Sequence, residues 1–187
     1  MKLFVLLLTV MFLFVSLFLP AWSLIIQKRY RVGIQIVPIL LLANIFLGVY
    51  YNLSIWYKIS NKTLAGTYIT LIGAAITIGI NYIFIPRVGY IASAWATFFC
   101  YGIMMVLSYK WGQKVYPVPY LTKKMIAYLA IVVCLFFIHH GITYLVNNNL
   151  VISLALGVLL LSLYMWFILL VEKKEFQKLP VIGKYIR

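Results

Sequence analysis

The sequence predicts an all-α fold, a polytopic membrane helix bundle of about six transmembrane helices, and three observations carry that expectation. Hydrophobic residue types make up 66% of the 187 residues and charged types only 10%, more apolar surface than a water-soluble domain needs to fill a core. The apolar residues gather in uncharged runs of about 20 residues, the length that spans the hydrocarbon layer of a bilayer. The gaps between them are short and rich in Gly, Pro, Asn, Lys and Arg, which is turn chemistry with no room for another domain.

The runs are Leu3 to Ile26, Ile34 to Tyr57, Thr63 to Ile85, Val88 to Tyr109, Met125 to Val146 and Leu150 to Val171, and none contains Asp, Glu, Lys or Arg. A charge at mid-helix opposes insertion by about 3 kcal/mol while each Leu, Ile or Phe favours it by about 0.5 kcal/mol, so every run should insert. The first run also fits a secretory signal peptide, with Lys2 ahead of it and Ala21-Trp22-Ser23 as a loose cleavage pattern, although it is longer than such segments usually are. The expected connections are Gln27 to Gly33, Lys58 to Lys62, Pro86-Arg87-Val88-Gly89, Lys110 to Lys124, and Asn147-Asn148-Asn149. Residues 1–171 thus form the bundle, and residues 172–187 a basic cytoplasmic tail.

Orientation follows from the bases. The chain carries 16 Lys and Arg against two acids, Glu172 and Glu175. Twelve bases fall on the side of Lys2, Lys58, Lys62, the fourth connection and the tail, whereas Lys28, Arg29, Arg31 and Arg87 fall on the other. Cytoplasmic loops are the basic ones, which puts both termini inside, with the Lys28–Arg31 cluster as the discordant feature. Bases confined to such gaps, with no exposed aromatic patch interleaved, point to anionic membrane lipids as counter-charge and away from nucleic acid. Tyr and Trp at the run ends, Tyr50, Tyr51, Trp56, Tyr57, Tyr109, Trp111, Tyr116 and Tyr120, suit interfacial anchors.

Within the spans a few polar groups stand out. Gly66, Thr70, Gly73, Thr77 and Asn81 recur at steps of three and four and share one helical face, either as a small-residue packing seam or as a polar stripe along a water-filled cavity. Asn44, Asn52 and Asn81 lie in otherwise apolar runs. An unpaired amide in lipid is costly, so each should bridge two helices or face a cavity where it could bond sugar hydroxyls. His139-His140 is the single histidine pair. Adjacent helical residues point about 100° apart and poorly share one metal, and no carboxylate or thiol lies at ligand spacing, so no metal is expected. Cys100 and Cys134 read as small packing residues. No phosphate-binding pattern surrounds Gly102 or Gly112, and no cofactor is implied. With both acids expected in the tail, no span holds a carboxylate for proton or sodium coupling or for general-base work, and an enzyme is not expected.

The stretch from Val37-Pro38-Ile39-Leu40-Leu41-Leu42-Ala43-Asn44 through Gly48-Val49-Tyr50-Tyr51-Asn52-Leu53-Ser54-Ile55-Trp56-Tyr57-Lys58 resembles bacterial polysaccharide flippases of the Wzx type. Asn81-Tyr82-Ile83-Phe84-Ile85-Pro86-Arg87-Val88-Gly89-Tyr90, followed by Ala92 to Thr97, is similar to that family's hairpin, and Tyr116-Pro117-Val118-Pro119-Tyr120 to the segment after it. The resemblance covers residues 37–120. It implies a carrier of the multidrug, oligosaccharidyl-lipid and polysaccharide exporter superfamily, moving an undecaprenyl-diphosphate-linked oligosaccharide across the bacterial plasma membrane for surface polysaccharide or lipopolysaccharide biosynthesis. Candidate substrate-contacting residues are then Asn44, Asn52, Thr70, Thr77, Asn81 and Arg87. Family members carry about 12 to 14 helices in two lobes that rock against each other. The chain would be a carboxyl-terminal part, from a truncated or split gene, with the missing amino-terminal lobe as partner. Two other expectations stand beside this one: a membrane enzyme acting on a polyprenyl lipid through His139 or His140, and a non-catalytic subunit that packs through the Gly66–Asn81 seam.

Overall fold

The computed structural model describes residues 1–118, 120, 122–146 and 149–173. Expectations for Pro119, Asn147, Asn148 and the tail bases Lys174, Lys178, Lys184 and Arg187 lie outside them. The described chain is all-α. In lipid the backbone must satisfy its own hydrogen bonds, and a helix does so within one segment. The helices are α1 (Lys2–Leu17), α2 (Leu19–Ile25), α3 (Val37–Leu53), α4 (Ile55–Ile59), α5 (Thr63–Val88), α6 (Tyr90–Val115), α7 (Thr122–Leu145) and α8 (Leu150–Val171), with a 3₁₀ segment at Lys28–Ile36.

Five helical stretches are long and apolar enough to cross a membrane: Lys28–Ile59, α5, α6, α7 and α8. The α1–α2 pair makes a sixth if taken as one broken span. This is a multi-pass membrane protein. The bounds of α8 match the expected run, and Asn149 caps it by accepting a hydrogen bond from the Val151 N–H at 3.1 Å.

Other boundaries depart from expectation. The first run is not one helix: α1 and α2 meet at 63°. Pro20 lacks an N–H and its ring would collide with the Ser16 carbonyl in a continuous helix, whereas in the first turn of α2 it fits. The first connection is a 3₁₀ helix that runs straight into α3. At the third connection the helix continues through Pro86, and Gly89 alone makes the turn at φ 70°, ψ −149°, a region closed to residues with a Cβ. Lys110 and Lys114 belong to the end of α6, and Lys123 and Lys124 to the start of α7, so the fourth connection is shorter than expected.

Two layers of packing result. Phe12, Leu13 and Leu17 of α1 meet Tyr128 and Val132 of α7 and Tyr164 and Ile168 of α8 in the largest core, which Ile45 of α3 also joins. A second core gathers Tyr50 of α3, Ile69 of α5, and Cys100 and Met104 of α6. Val5, Val49 and Leu53 connect the two, and Gly48 admits Phe4 and Leu8 to the face of α3. The first helix is therefore an integral part of the bundle. At the far edge α5 packs on α6 and, near its start, on α4. The rest of its surface is open, with Tyr82 83% exposed.

The two ends of the bundle are distinct. Lys2 donates to the Glu172 carboxylate, so the start of α1 and the end of α8 share one end. Met1, Asn52, Trp56, Ile59, Tyr116 and Tyr120 line a cavity of about 270 Å³ there. At the other end Tyr90 Oη donates to the Val32 carbonyl at 3.1 Å and joins the 3₁₀ segment to the α5–α6 turn.

Candidate functional site

The stripe on α5 divides. Gly66 and Gly73 are buried. A Cβ at Gly66 would lie 2.9 Å from the Tyr57 ring, and one at Gly73 would lie 2.6 Å from Met104 Sδ and 3.1 Å from Cys100 Sγ. The glycine half of the seam is therefore filled by the chain's own side chains. The polar half lies along the flank. Thr70 is exposed and donates to the Thr67 carbonyl at 2.9 Å, and Thr77 donates to the Gly73 carbonyl at 3.0 Å. Both hydroxyls are satisfied within their own helix, an ordinary solution for Thr in an apolar setting.

Asn81 is different. Its Oδ1 is buried and has no hydrogen-bond partner among the described residues, on a residue only partly buried as a whole. An amide oxygen withdrawn from water without a donor is a standing cost, and so a place where an incoming donor is favoured. Arg87 stands exposed six residues further along, about 9 Å at the helical rise.

The asparagines of α3 do not bridge helices through these amides. Asn44 donates to the Leu40 carbonyl at 2.8 Å and Asn52 to the Gly48 carbonyl at 3.0 Å, each four residues back in its own helix. Asn52 borders the 270 Å³ cavity at the Lys2 end, whereas Arg87 stands by the Gly89 turn at the opposite end. The six candidates thus form no single site. Thr70, Thr77 and Asn81 share the flank of α5, and the remaining three are apart from it.

The histidines diverge as expected of neighbours. His139 is buried, and because a carbonyl only accepts, its Nε2–H donates to the Ser153 carbonyl at 3.1 Å, joining α7 to α8. The His140 ring stacks on Phe136 at 6.1 Å. Among the described residues no three His, Cys, Asp or Glu side chains gather within reach of one metal.

A polar cluster not foreseen from sequence lies at the Lys2 end. Glu172, expected in the basic cytoplasmic tail, is 2% exposed, with Lys2 donating to one carboxylate oxygen and Tyr128 Oη to the other. Burial alone would raise its pKa. The hydrogen bonds from Lys2 and Tyr128 and the charges of Lys2 and Lys124 outweigh it and hold the carboxyl below its usual range. The available signal was a lone acid directly after an apolar run in a chain of net charge +14. An acid there needs a cation, and its partner lies at the other terminus.

No family model, curated protein sequence or solved structure matches this chain.

Proposed function

We propose that the chain is part of a Wzx-type polysaccharide flippase, carrying undecaprenyl-diphosphate-linked oligosaccharide across the bacterial plasma membrane. On this reading the Lys2–Glu172 end faces the cytoplasm, where anionic lipids meet the more numerous bases. A second bundle, the amino-terminal lobe, covers the open side of α5.

The observation that carries the proposal is the buried Asn81 Oδ1 on the flank of α5, which has no hydrogen-bond partner among the described residues. It belongs to the segment whose sequence resembles the flippase hairpin, and Thr70 and Thr77 lie on the same flank. A saccharide presents many hydroxyl donors, and an acceptor held in low dielectric would bond them strongly. Five long apolar helices supply the membrane frame. Alternating access needs a substrate site between two bundles, and α5, packed mainly on α6, has a face free to meet one.

Complementation tests this. In a cell lacking its flippase, the chain expressed with a matching amino-terminal lobe should restore surface polysaccharide, and the Asn81→Leu chain should insert equally well yet fail. Stable insertion of both lobes without restoration would reject the proposal.

A further inference from the structure

A second feature does not depend on the flippase reading. Between α5 and α6, running back from the Gly89 turn, lies a groove of about 330 Å³ lined by Ile80, Phe84, Val88, Ala92, Trp95 and Phe99. Every lining side chain is apolar. Ile80, Phe84 and Val88 repeat at four-residue steps, so the groove follows the helix axis for about 12 Å. That direction suits a hydrocarbon chain lying along the helices.

Charge marks the mouth. Arg87 precedes the last α5 residue of the groove, is exposed, and has no ion-pair partner among the described residues. The hydrogen bond from Tyr90 to Val32 brings the 3₁₀ segment to the same corner, and that segment carries Lys28, Arg29 and Arg31, all exposed. The four bases of the less basic side thus belong to the two segments that meet at this corner. Glu172, which could offset them, is engaged by Lys2 at the opposite end.

We infer that this groove is a binding site for one anionic phospholipid, with an acyl chain along Ile80–Phe99 and the phosphate at Arg87 beside the bases of the 3₁₀ segment. Arg presents a fork of donors matched to phosphate oxygens, and bases near an anionic headgroup add to the hydrophobic hold of the chain. A bound phosphate would also offset the repulsion among four clustered cations.

Native mass spectrometry of the full chain, released from phosphatidylcholine vesicles doped with phosphatidylglycerol, tests the site. Wild type should retain one phosphatidylglycerol. Arg87→Gln should lower its retention about fivefold, the worth of one surface base toward an anionic lipid. Val88→Trp, which fills the groove at an exposed position, should lower it further. Lys58→Gln, at the other end, should behave as wild type. Added inorganic phosphate should not displace the lipid, because it lacks the chain. Retention unchanged in both Arg87→Gln and Val88→Trp, equal loss in Lys58→Gln, or displacement by phosphate alone would each overturn the assignment.

Discussion

Lys2 Nζ donates to Glu172 Oε2 across 170 positions of sequence and ties the first turn of α1 to the cap of α8. Tyr128 of α7 holds the other carboxylate oxygen, so three helices meet on one buried acid. Removing one partner of a buried pair strands the other. Lys2→Met should therefore destabilise the bundle by ~3 kcal/mol, read from unfolding in mixed micelles. Lys2→Met with Glu172→Gln together should cost less than the sum of the single changes.

The same carboxyl sets a pH dependence. Its folded-state pKa is lowered, so its stabilisation is complete above the ordinary value of 4.5 and is lost as pH falls through the lowered one. Wild type should lose thermal stability below about pH 4.5, and Glu172→Gln, already weakened, should show a flatter profile. A wild-type profile identical to that of the variant would remove the electrostatic account of this contact.

Glycines in the spans should separate into two kinds. At Gly79 and Gly141 an added Cβ meets nothing within 4 Å. Alanine there should stabilise by about 0.5–1 kcal/mol through helix propensity. At Gly73 the Cβ would lie 2.6 Å from Met104 Sδ, and Gly73→Ala should cost about 1–3 kcal/mol through overpacking. Met104→Ala in the same chain should recover part of that loss. Unfolding midpoints of the four variants check both signs and the rescue.

The helical frame was legible because uncharged length alone decides insertion, and α8 falls on its expected residues. Prolines show where that reading stops. Pro20 lies beside a helix break, whereas Pro86 is carried inside a helix. In the first turn a missing N–H costs nothing, and at Pro86 the freed Tyr82 carbonyl belongs to a residue on the open side of α5, with Gly89 following to make the turn. The α5 stripe was equally half-legible. Periodicity places Gly66, Thr70, Gly73, Thr77 and Asn81 within an arc of about 80°. Which edge of the arc is packed depends on Cys100 and Met104 of the next helix. The Lys2–Glu172 contact lay beyond any local pattern, because its partners are 170 positions apart in sequence.

Tyr164 Oη donates to Thr9 Oγ1 at 2.8 Å inside the main core. Interhelical hydrogen bonds in membranes average about 0.6 kcal/mol and reach about 1.7 kcal/mol. Tyr164→Phe should fall in that range, and Thr9→Val should cost little more when added to it, since the bond is already gone. Independent, additive losses in unfolding measurements would mean that the hydroxyls act separately.

Asn81 separates a binding role from a packing role. An amide oxygen buried without a donor contributes nothing to holding the bundle together, so replacing it with an apolar group of similar size should leave stability unchanged or raise it by up to about 1 kcal/mol. Thr77→Val gives the matching control, because its hydroxyl is satisfied by the Gly73 carbonyl. If Oδ1 awaits a saccharide hydroxyl, Asn81→Leu should keep its unfolding midpoint and lose transport in the complementation assay, whereas Asn81→Gln should recover part of it. A drop in midpoint of the chain alone would instead assign Asn81 to packing, and would move the search for the saccharide contact away from the flank of α5.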